Sequence, residues 1–356
     1  MSRAHDLAAF LAAVGRRWRG ARRAGYIGWL GHGNLGDEAM RRAAELLLGQ
    51  PLEPLRTWRG ERVLAAIGAG GGRRALPVAI LGGGTLINPG RLVLVEDLLR
   101  RGVPLVALGT GVGSAGFSAS EEPVDERWAG ALRQFRAVGV RGPVSAAKLA
   151  AAGFAGARVV GDLALALTPD KALGDAGSGR FLVNFAPARL AEDQRRLAPV
   201  QAAFSDALVA LARRGLEPVP VAFDPADRSA LRALLDMSGM ADKTIHVPTD
   251  FAGYQALTRQ ASFALGVRLH SAVFAAACGV PPLLVGYRDK CRDFCETVGH
   301  GAFLVELDGF EPDDFAARLD SLMADSVAIG GRLHGRCREL RSGLQDFADA
   351  HLKPLL

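Results

Sequence analysis

From residue 25 onward the chain alternates short apolar runs with longer segments of helical periodicity, and most runs end at glycine or a charged residue. Residues 26–30, 78–81, 105–108, 138–140 and 157–160 are such runs. They are too short for helices and nearly unbroken by polar positions, as expected of strands covered on both faces of a parallel sheet. Residues 39–48 carry apolar positions at helical spacing and predict a helix after the first strand. A second series occupies 181–185, 217–222, 244–247, 262–267, 282–286 and 303–307, and the chain after Glu311 reads as mainly helical. Strands alternating with helices predict the α/β class with parallel sheets. Between the two series, 168–179 (TPDKALGDAGSG) mixes proline, glycine and charge without periodicity and predicts a linker. The expected organisation is an N-terminal domain at 1–170 and a C-terminal domain at 180–356 that includes the last helices. Ligands of such sheets bind outside the carboxyl ends of the strands, so two of them predict a cleft between domains.

Ahead of the first strand, Leu7, Phe10, Leu11 and Val14 fall at helical spacing and lead into Arg16, Arg17 and Arg19. This predicts an amphipathic helix at 6–23 with a basic end, either packed on the neighbouring domain or docked peripherally on a membrane surface. No run of eighteen apolar residues occurs and no small-residue cleavage site follows Val14, so neither a membrane span nor a secretory signal is expected. Hydrophobic residues at 49% and charged ones at 22% exclude disordered, collagen-like and coiled-coil classes. Four cysteines without a Cys-x-x-Cys pair give neither a disulfide framework nor a metal motif, and the expected location is cytoplasmic, extending to the inner face of the membrane if the basic helix docks there. A net charge of +6 suits an acidic partner, but all except five of the 43 basic residues are arginines in an Ala- and Gly-rich chain. That is a compositional bias, and no nucleic-acid partner is expected.

Three glycine-bearing stretches follow predicted strands. Gly31 to Glu38 (GHGNLGDE) links the first strand to its helix, where free N–H groups and the positive helix end suit an anion or sugar oxygens. Within it, His32 and Asn34 are candidate ligand contacts, while Asp37 and Glu38 either cap the helix or bind hydroxyls. Gly82-Gly83-Gly84 and Gly109-Thr110-Gly111-Val112-Gly113 predict loops at the next two strand ends. None has the spacing of a dinucleotide or Walker phosphate loop, which disfavours a nicotinamide or ATP enzyme. The stretch 262–299 carries most of the chemistry: a strand breaks at Gly266, presents Arg268 and His270, and continues as a small-residue helix with Ser271 as its expected cap. The following strand delivers Tyr287, Arg288 and Lys290 to the same edge. A histidine able to give or take a proton near neutrality, beside several cations, suits an anionic substrate.

The sequence resembles the polysaccharide pyruvyl transferase family over nearly all of the chain after Gly25. The resemblance rests on Gly-x-x-Asn-x-Gly-Asp-Glu from Gly31, the triplet Gly82 to Gly84, and Gly-Thr-Gly-Val-Gly from Gly109. It rests above all on Arg268-x-His270 followed by Phe274-Ala275, Gly279-Val280-Pro281, Tyr287, Lys290 and Phe294. It implies two Rossmann-like domains facing across a cleft, similar to B-type glycosyltransferases, and transfer of pyruvyl from phosphoenolpyruvate to sugar hydroxyls. By the same resemblance His270 is the catalytic acid or base, and Arg268 binds phosphoenolpyruvate, with Lys290, Tyr287 and Arg141 as further candidates. His32, Asn34, Asp37, Glu38, Gly83 and Gly84 fall on the acceptor side, toward a glycan or lipid-linked sugar. Phosphoenolpyruvate is a co-substrate, and no cofactor or metal is implied. Two stretches depart from the family pattern: Gly142 stands where an acid is usual after Arg141, and Arg288-Asp289 replaces the commoner Asp-Pro between Tyr287 and Lys290.

The chemistry asks for the same residue types. Protonating the enol carbon of phosphoenolpyruvate, binding its anionic groups and removing hydroxyl protons need an acid–base group and fixed cations. A B-type glycosyltransferase acting on a nucleotide sugar, and a non-catalytic glycan- or anion-binding relative, are the alternative readings of the same cleft.

Overall fold

The computed structural model describes residues 23–55, 76–113, 124–175, 177–188 and 191–356; the expected amphipathic helix, apart from Arg23, lies outside them. The first sheet has seven parallel strands: β1 (Gly25–Ile27), β2 (Glu53–Leu55), β3 (Ala79–Leu81), β4 (Gly84–Ile87), β5 (Leu105–Val112), β6 (Ala137–Val140) and β7 (Arg158–Val159). Its order is β2-β1-β3-β5-β6-β7, with β4 pairing on β5. The helices around it are α1 (Leu35–Leu48), α2 (Pro89–Arg100), α3 (Arg127–Leu132) and α4 (Pro143–Ala151). The second sheet, also parallel, runs β12-β11-β10-β8-β9, from β8 (Arg180–Asn184), β9 (Glu217–Pro220), β10 (Ala264–Gly266), β11 (Pro282–Gly286) and β12 (Leu304–Glu306). Its helices are α5 (Ala191–Arg213), α6 (Asp227–Met237), α7 (Phe251–Thr258), α8 (Leu269–Ala277), α9 (Asp289–Val298), α10 (Pro312–Ala324) and α11 (Ser326–His351).

Both sheets have the same winding: the first strand lies inside, its successor on one flank and the third element on the other. The strand order therefore reverses between β1 and β3 and again between β8 and β10. A crevice opens at the carboxyl ends of such strand pairs, because the crossover helices leave in opposite directions. The segments after these four strands include residues 28–34, 82–83, 185–188 and 267–268, so the glycine loop, the glycine triplet and the Arg-x-His turn all fall at switch points.

The structure departs from the sequence expectation in three places. Glycines 109 to 113 do not all form a loop; β5 continues to Val112 with a register shift between Ala107 and Thr110 and φ +66° at Gly109. A Cβ at Gly109 would lie 2.9 Å from the Leu163 nitrogen and one at Gly111 3.1 Å from Arg141 Nη1, so these glycines let other chain segments lie flush on the strand. Residues 244–247 contribute only a single bridge, His246 to Val221, and the short strands β2 and β4 lacked a pattern of their own. The last helix does not stay on the second sheet: Gln345 Nε2 donates to the Leu47 carbonyl at 3.2 Å, and the Phe347 ring lies 3.1 Å from where a Cβ at Gly139 would be. One continuous apolar cluster joins β1, α1, the 3-10 turn Leu163–Leu167, the second sheet and α11.

Candidate functional site at the facing strand ends

The carboxyl ends of the two sheets face each other, and the second sheet presents its charges on a fixed mount. Gly266 ends β10; a Cβ there would lie 2.1 Å from Ser271 Oγ, so only glycine fits under the first turn of α8. Ser271 Oγ donates to the Arg268 carbonyl at 2.6 Å, so it braces the turn instead of capping α8 as the sequence suggested. Arg268 Nε lies 2.7 and 2.8 Å from the two Asp227 oxygens and Nη2 2.6 Å from Oδ1. Asp227, fully buried at the start of α6, also accepts the N–H groups of Phe223 and Asp224 and the Asn184 amide. Asn184 Oδ1 in turn accepts the Arg268 N–H at 3.1 Å. Burial opposes the guanidinium charge, but the Asp227 hydrogen bonds and field outweigh it, so its pKa rises.

His270, in the first turn of α8, crosses to the other sheet. A Cβ at Gly36 would lie 2.0 Å from its Nδ1, so the imidazole rests on bare backbone at the start of α1. Its side chain is 14% exposed, with Nε2 3.9 Å from Asp162 Oδ2, so it is not sealed among apolar groups. Burial lowers its pKa to about 4; Arg141, Lys290 and Arg268 push the same way and Asp162 pushes back. The sequence suggested a group able to donate or accept near neutrality. Three cations and desolvation instead hold the ring neutral, so at rest it is a proton acceptor.

On the first sheet, Asn34 caps α1, accepting N–H groups from Gly36 and Asp37 at 3.1 and 3.2 Å. Its amide donates to Asp224 Oδ2 at 3.2 Å, and the Leu35 N–H donates to the Phe223 carbonyl at 2.8 Å, so the loop ties the two sheets together. Glu38 Oε1 accepts the Gly31 N–H at 2.7 Å across the loop. The cap is therefore the asparagine, which leaves Asp37 for other work. Gly84 is glycine for its φ of +99°; a Cβ there would lie at an ordinary contact distance, 3.7 Å, from Asp37 Oδ1. Gly83 packs instead against Met40 and Leu163. His32 is exposed and stacks on Trp29 at 4.2 Å, with the Arg91 guanidinium 5.8 Å from the indole.

Lys290, in the first turn of α9, holds Nζ 4.9 Å over the half-buried Tyr287 ring. Arg141 follows β6 and is only 1% exposed, with Nε 3.0 Å from Asp162 Oδ2, so it lies beneath the site. Gly142 acquires a reason. Asp293, from α9 of the second sheet, accepts the Val144 and Ser145 N–H groups at 2.9 and 3.2 Å and the Ser145 hydroxyl at 2.6 Å. An acid reaching across the interface thus caps α4, and a Cβ at 142 would lie 2.3 Å from its Oδ1. Asp289, the other departure, pairs with Lys148 of α4. Sequence reasoning missed Asp162, Asp227 and Asp293 as site supports. Only Asp162 carried a signal, at the end of a predicted strand, whereas the other two sit within helices whose partners are distant in sequence.

Two parallel sheets joined at their switch points over a charged cleft place the protein in the B-type glycosyltransferase fold class. An S. aureus MnaA–UDP co-structure superposes with TM-score 0.58 at 14% identity, over 94% of this chain and 98% of that one. A UDP-GlcNAc 2-epimerase from Methanocaldococcus jannaschii gives 0.50 at 14% identity, over 90% and 99%. An α,α-trehalose 6-phosphate synthase from Burkholderia multivorans gives 0.51 at 16%, over 89% and 74%. At these identities the likeness is one of fold. The family model for polysaccharide pyruvyl transferases matches residues 16–289, and the chain belongs to that family. No curated protein matches the sequence.

Proposed function

We propose that the protein moves the pyruvyl group of phosphoenolpyruvate onto two hydroxyls of one sugar in a surface polysaccharide or its precursor, forming a cyclic ketal and releasing phosphate. The observation that carries this reading is the meeting of Arg268, Lys290 and a neutral His270 at the ends of the neighbouring strands β10 and β11, facing the start of α1. Arg268 is braced by Asp227 through Nε and Nη2, which leaves Nη1 without a partner among the described residues. That amine and Lys290 Nζ hold the carboxylate and phosphate of the donor, and Tyr287 keeps Lys290 in place. The His270 ring accepts the proton of the attacking sugar hydroxyl and returns it to the departing phosphate. Arg141 acts through its field from below. His32 of the glycine loop, Asp37 at the start of α1 and Gly84 at the start of β4 border the acceptor sugar, while Asn34, Glu38 and Gly83 shape that side. Among the described residues no helix is long and apolar enough to cross a membrane, and a cytoplasmic place, where phosphoenolpyruvate is made, belongs to the same proposal.

The test is a comparison of products. With phosphoenolpyruvate and a panel of glycans the protein should release inorganic phosphate and yield a ketal methyl signal. Release of a nucleoside diphosphate from a nucleotide sugar, with phosphoenolpyruvate untouched, would assign it to glycosyl transfer instead; ligand binding without turnover would make it a binding protein.

A further inference from the structure

We propose that Asp37 is the catalytic acid that protonates the methylene carbon of the donor, a role distinct from that of His270 and resting on the pyruvyl-transfer reading. Asp37 is positioned for this by its backbone: its own N–H is bound to Asn34 Oδ1 at 3.2 Å, which fixes the first turn of α1. It is the residue after Gly36, whose bare α-carbon carries the His270 ring, so acid and imidazole both belong to the junction at the start of α1. Gly84 lies on another side, its Cβ position at an ordinary contact distance of 3.7 Å from Oδ1. Among the described residues the half-buried Asp37 carboxyl makes no hydrogen bond and no ion pair, whereas the neighbouring Glu38 is occupied by the Gly31 N–H.

The charges around it come from every side. Glu38 belongs to its own helix; Lys290 comes from α9, Arg141 from the end of β6, and Asp162 from the turn beneath. Its field also reaches Tyr26 of β1 and Arg91 of α2. Burial first, then Glu38 and Asp162, raise the Asp37 pKa to about 7 against the pull of Lys290 and Arg141. The alternatives are poorer acids: burial drives the Tyr26 hydroxyl far upward, and His270 carries no proton to give at neutral pH.

The step balances as follows. The carboxyl proton passes to C3, the C=C electron pair forms the new C–H bond, and the cation at C2 is shared with its enol oxygen. The first sugar oxygen bonds to C2 and its proton goes to His270. The C2–O bond to phosphate then breaks, the second sugar oxygen bonds to C2, and its proton restores Asp37 while His270 protonates the leaving phosphate.

The experiment compares wild type, Asp37→Asn and Asp37→Glu. A dianionic or trianionic donor beside Asp37 raises its affinity for protons, so phosphoenolpyruvate binding at pH 7, titrated calorimetrically in buffers of different ionisation enthalpy, should take up more protons in wild type than in Asp37→Asn. Phosphate release by Asp37→Asn should fall about 10²-fold or more, with donor affinity within about fivefold and the alkaline limb of the kcat profile gone; Asp37→Glu should recover part of the rate and keep the limb. Equal proton uptake, or Asp37→Asn turnover within threefold of wild type, would overturn the assignment. An inactive wild type would sink the pyruvyl reading as a whole, whereas an active Asp37→Asn sinks only this step.

Discussion

Arg268 and Arg141 each follow the end of a parallel strand and each lies beside a fully buried aspartate, yet the two pairs are built differently. Arg268 makes three close contacts to Asp227, whose remaining capacity is filled by two backbone N–H groups and an amide. Arg141 approaches Asp162 at 3.0 Å out of line for a hydrogen bond, and Arg141 Nε and Nη1 and Asp162 Oδ2 have no hydrogen-bond partner among the described residues. A saturated pair is a rigid mount for a charge at the cleft; an unsaturated one keeps its charge active on its surroundings. Arg141 pulls down the pKa of His270, and those of Asp37 and Asp293 against the rise that burial sets, while Arg268, held in one orientation, acts on His270 in the same direction.

The largest effect expected is on rate. His270→Ala should slow phosphate release by about 10² to 10⁴ without unfolding the protein, measured as single-turnover phosphate release beside circular dichroism. Next comes the mount: Asp227→Ala strands a half-buried guanidinium and should cost about 3–5 kcal/mol, read from denaturant unfolding. If that loss were under about 1 kcal/mol, the contrast between the two pairs would be empty.

The cross-domain cap gives a middle-sized effect. Gly142→Asp restores the acid usual in the family but drives a Cβ to 2.3 Å from Asp293 Oδ1 and 2.4 Å from its carbonyl oxygen. It should cost about 1–3 kcal/mol, and Asp293→Gly in the same chain should recover only part, because the backbone oxygen remains. Asn34→Ala, which loses a cap and the tie to Asp224, should cost about 1 kcal/mol. The smallest effect separates the fields of the two pairs. Asp162 raises the pKa of both His270 and Asp37, so Asp162→Asn should move both limbs of the kcat profile to lower pH. In the wild type the limbs of the kcat/KM profile, which reports the free enzyme, fall near 4, where His270 gains its proton, and near 7, where Asp37 loses its own, and the bound donor moves the Asp37 limb of kcat to higher pH. The stability linkage has opposite signs. The His270 contribution is full above 6.5 and lost as pH falls toward 4, while that of Asp37 is full at acid pH and lost as pH rises from 3.8 to about 7.

Much of this was legible in the sequence because parallel strands are short apolar runs punctuated by glycine, and those runs located both sheets and the Arg268–His270 turn. What escaped was non-local. Asp293 caps a helix some 150 positions away, Asp227 braces Arg268 from 41 positions earlier, and the C-terminal helix returns to the first sheet; no periodicity records such pairings. The sequence also offered His270 as a group titrating near neutrality and Asp37 as a cap or a ligand of sugar hydroxyls. Burial and neighbouring charges, which only the fold assembles, lower the first to about 4 and raise the second to about 7.

The most direct measurement is a crystal structure with phosphoenolpyruvate bound. The account predicts its carboxylate and phosphate on Arg268 and Lys290, with the methylene carbon turned toward Asp37 and C2 open to a sugar beside His270. A donor bound elsewhere, with Arg268 and Lys290 untouched, would contradict it.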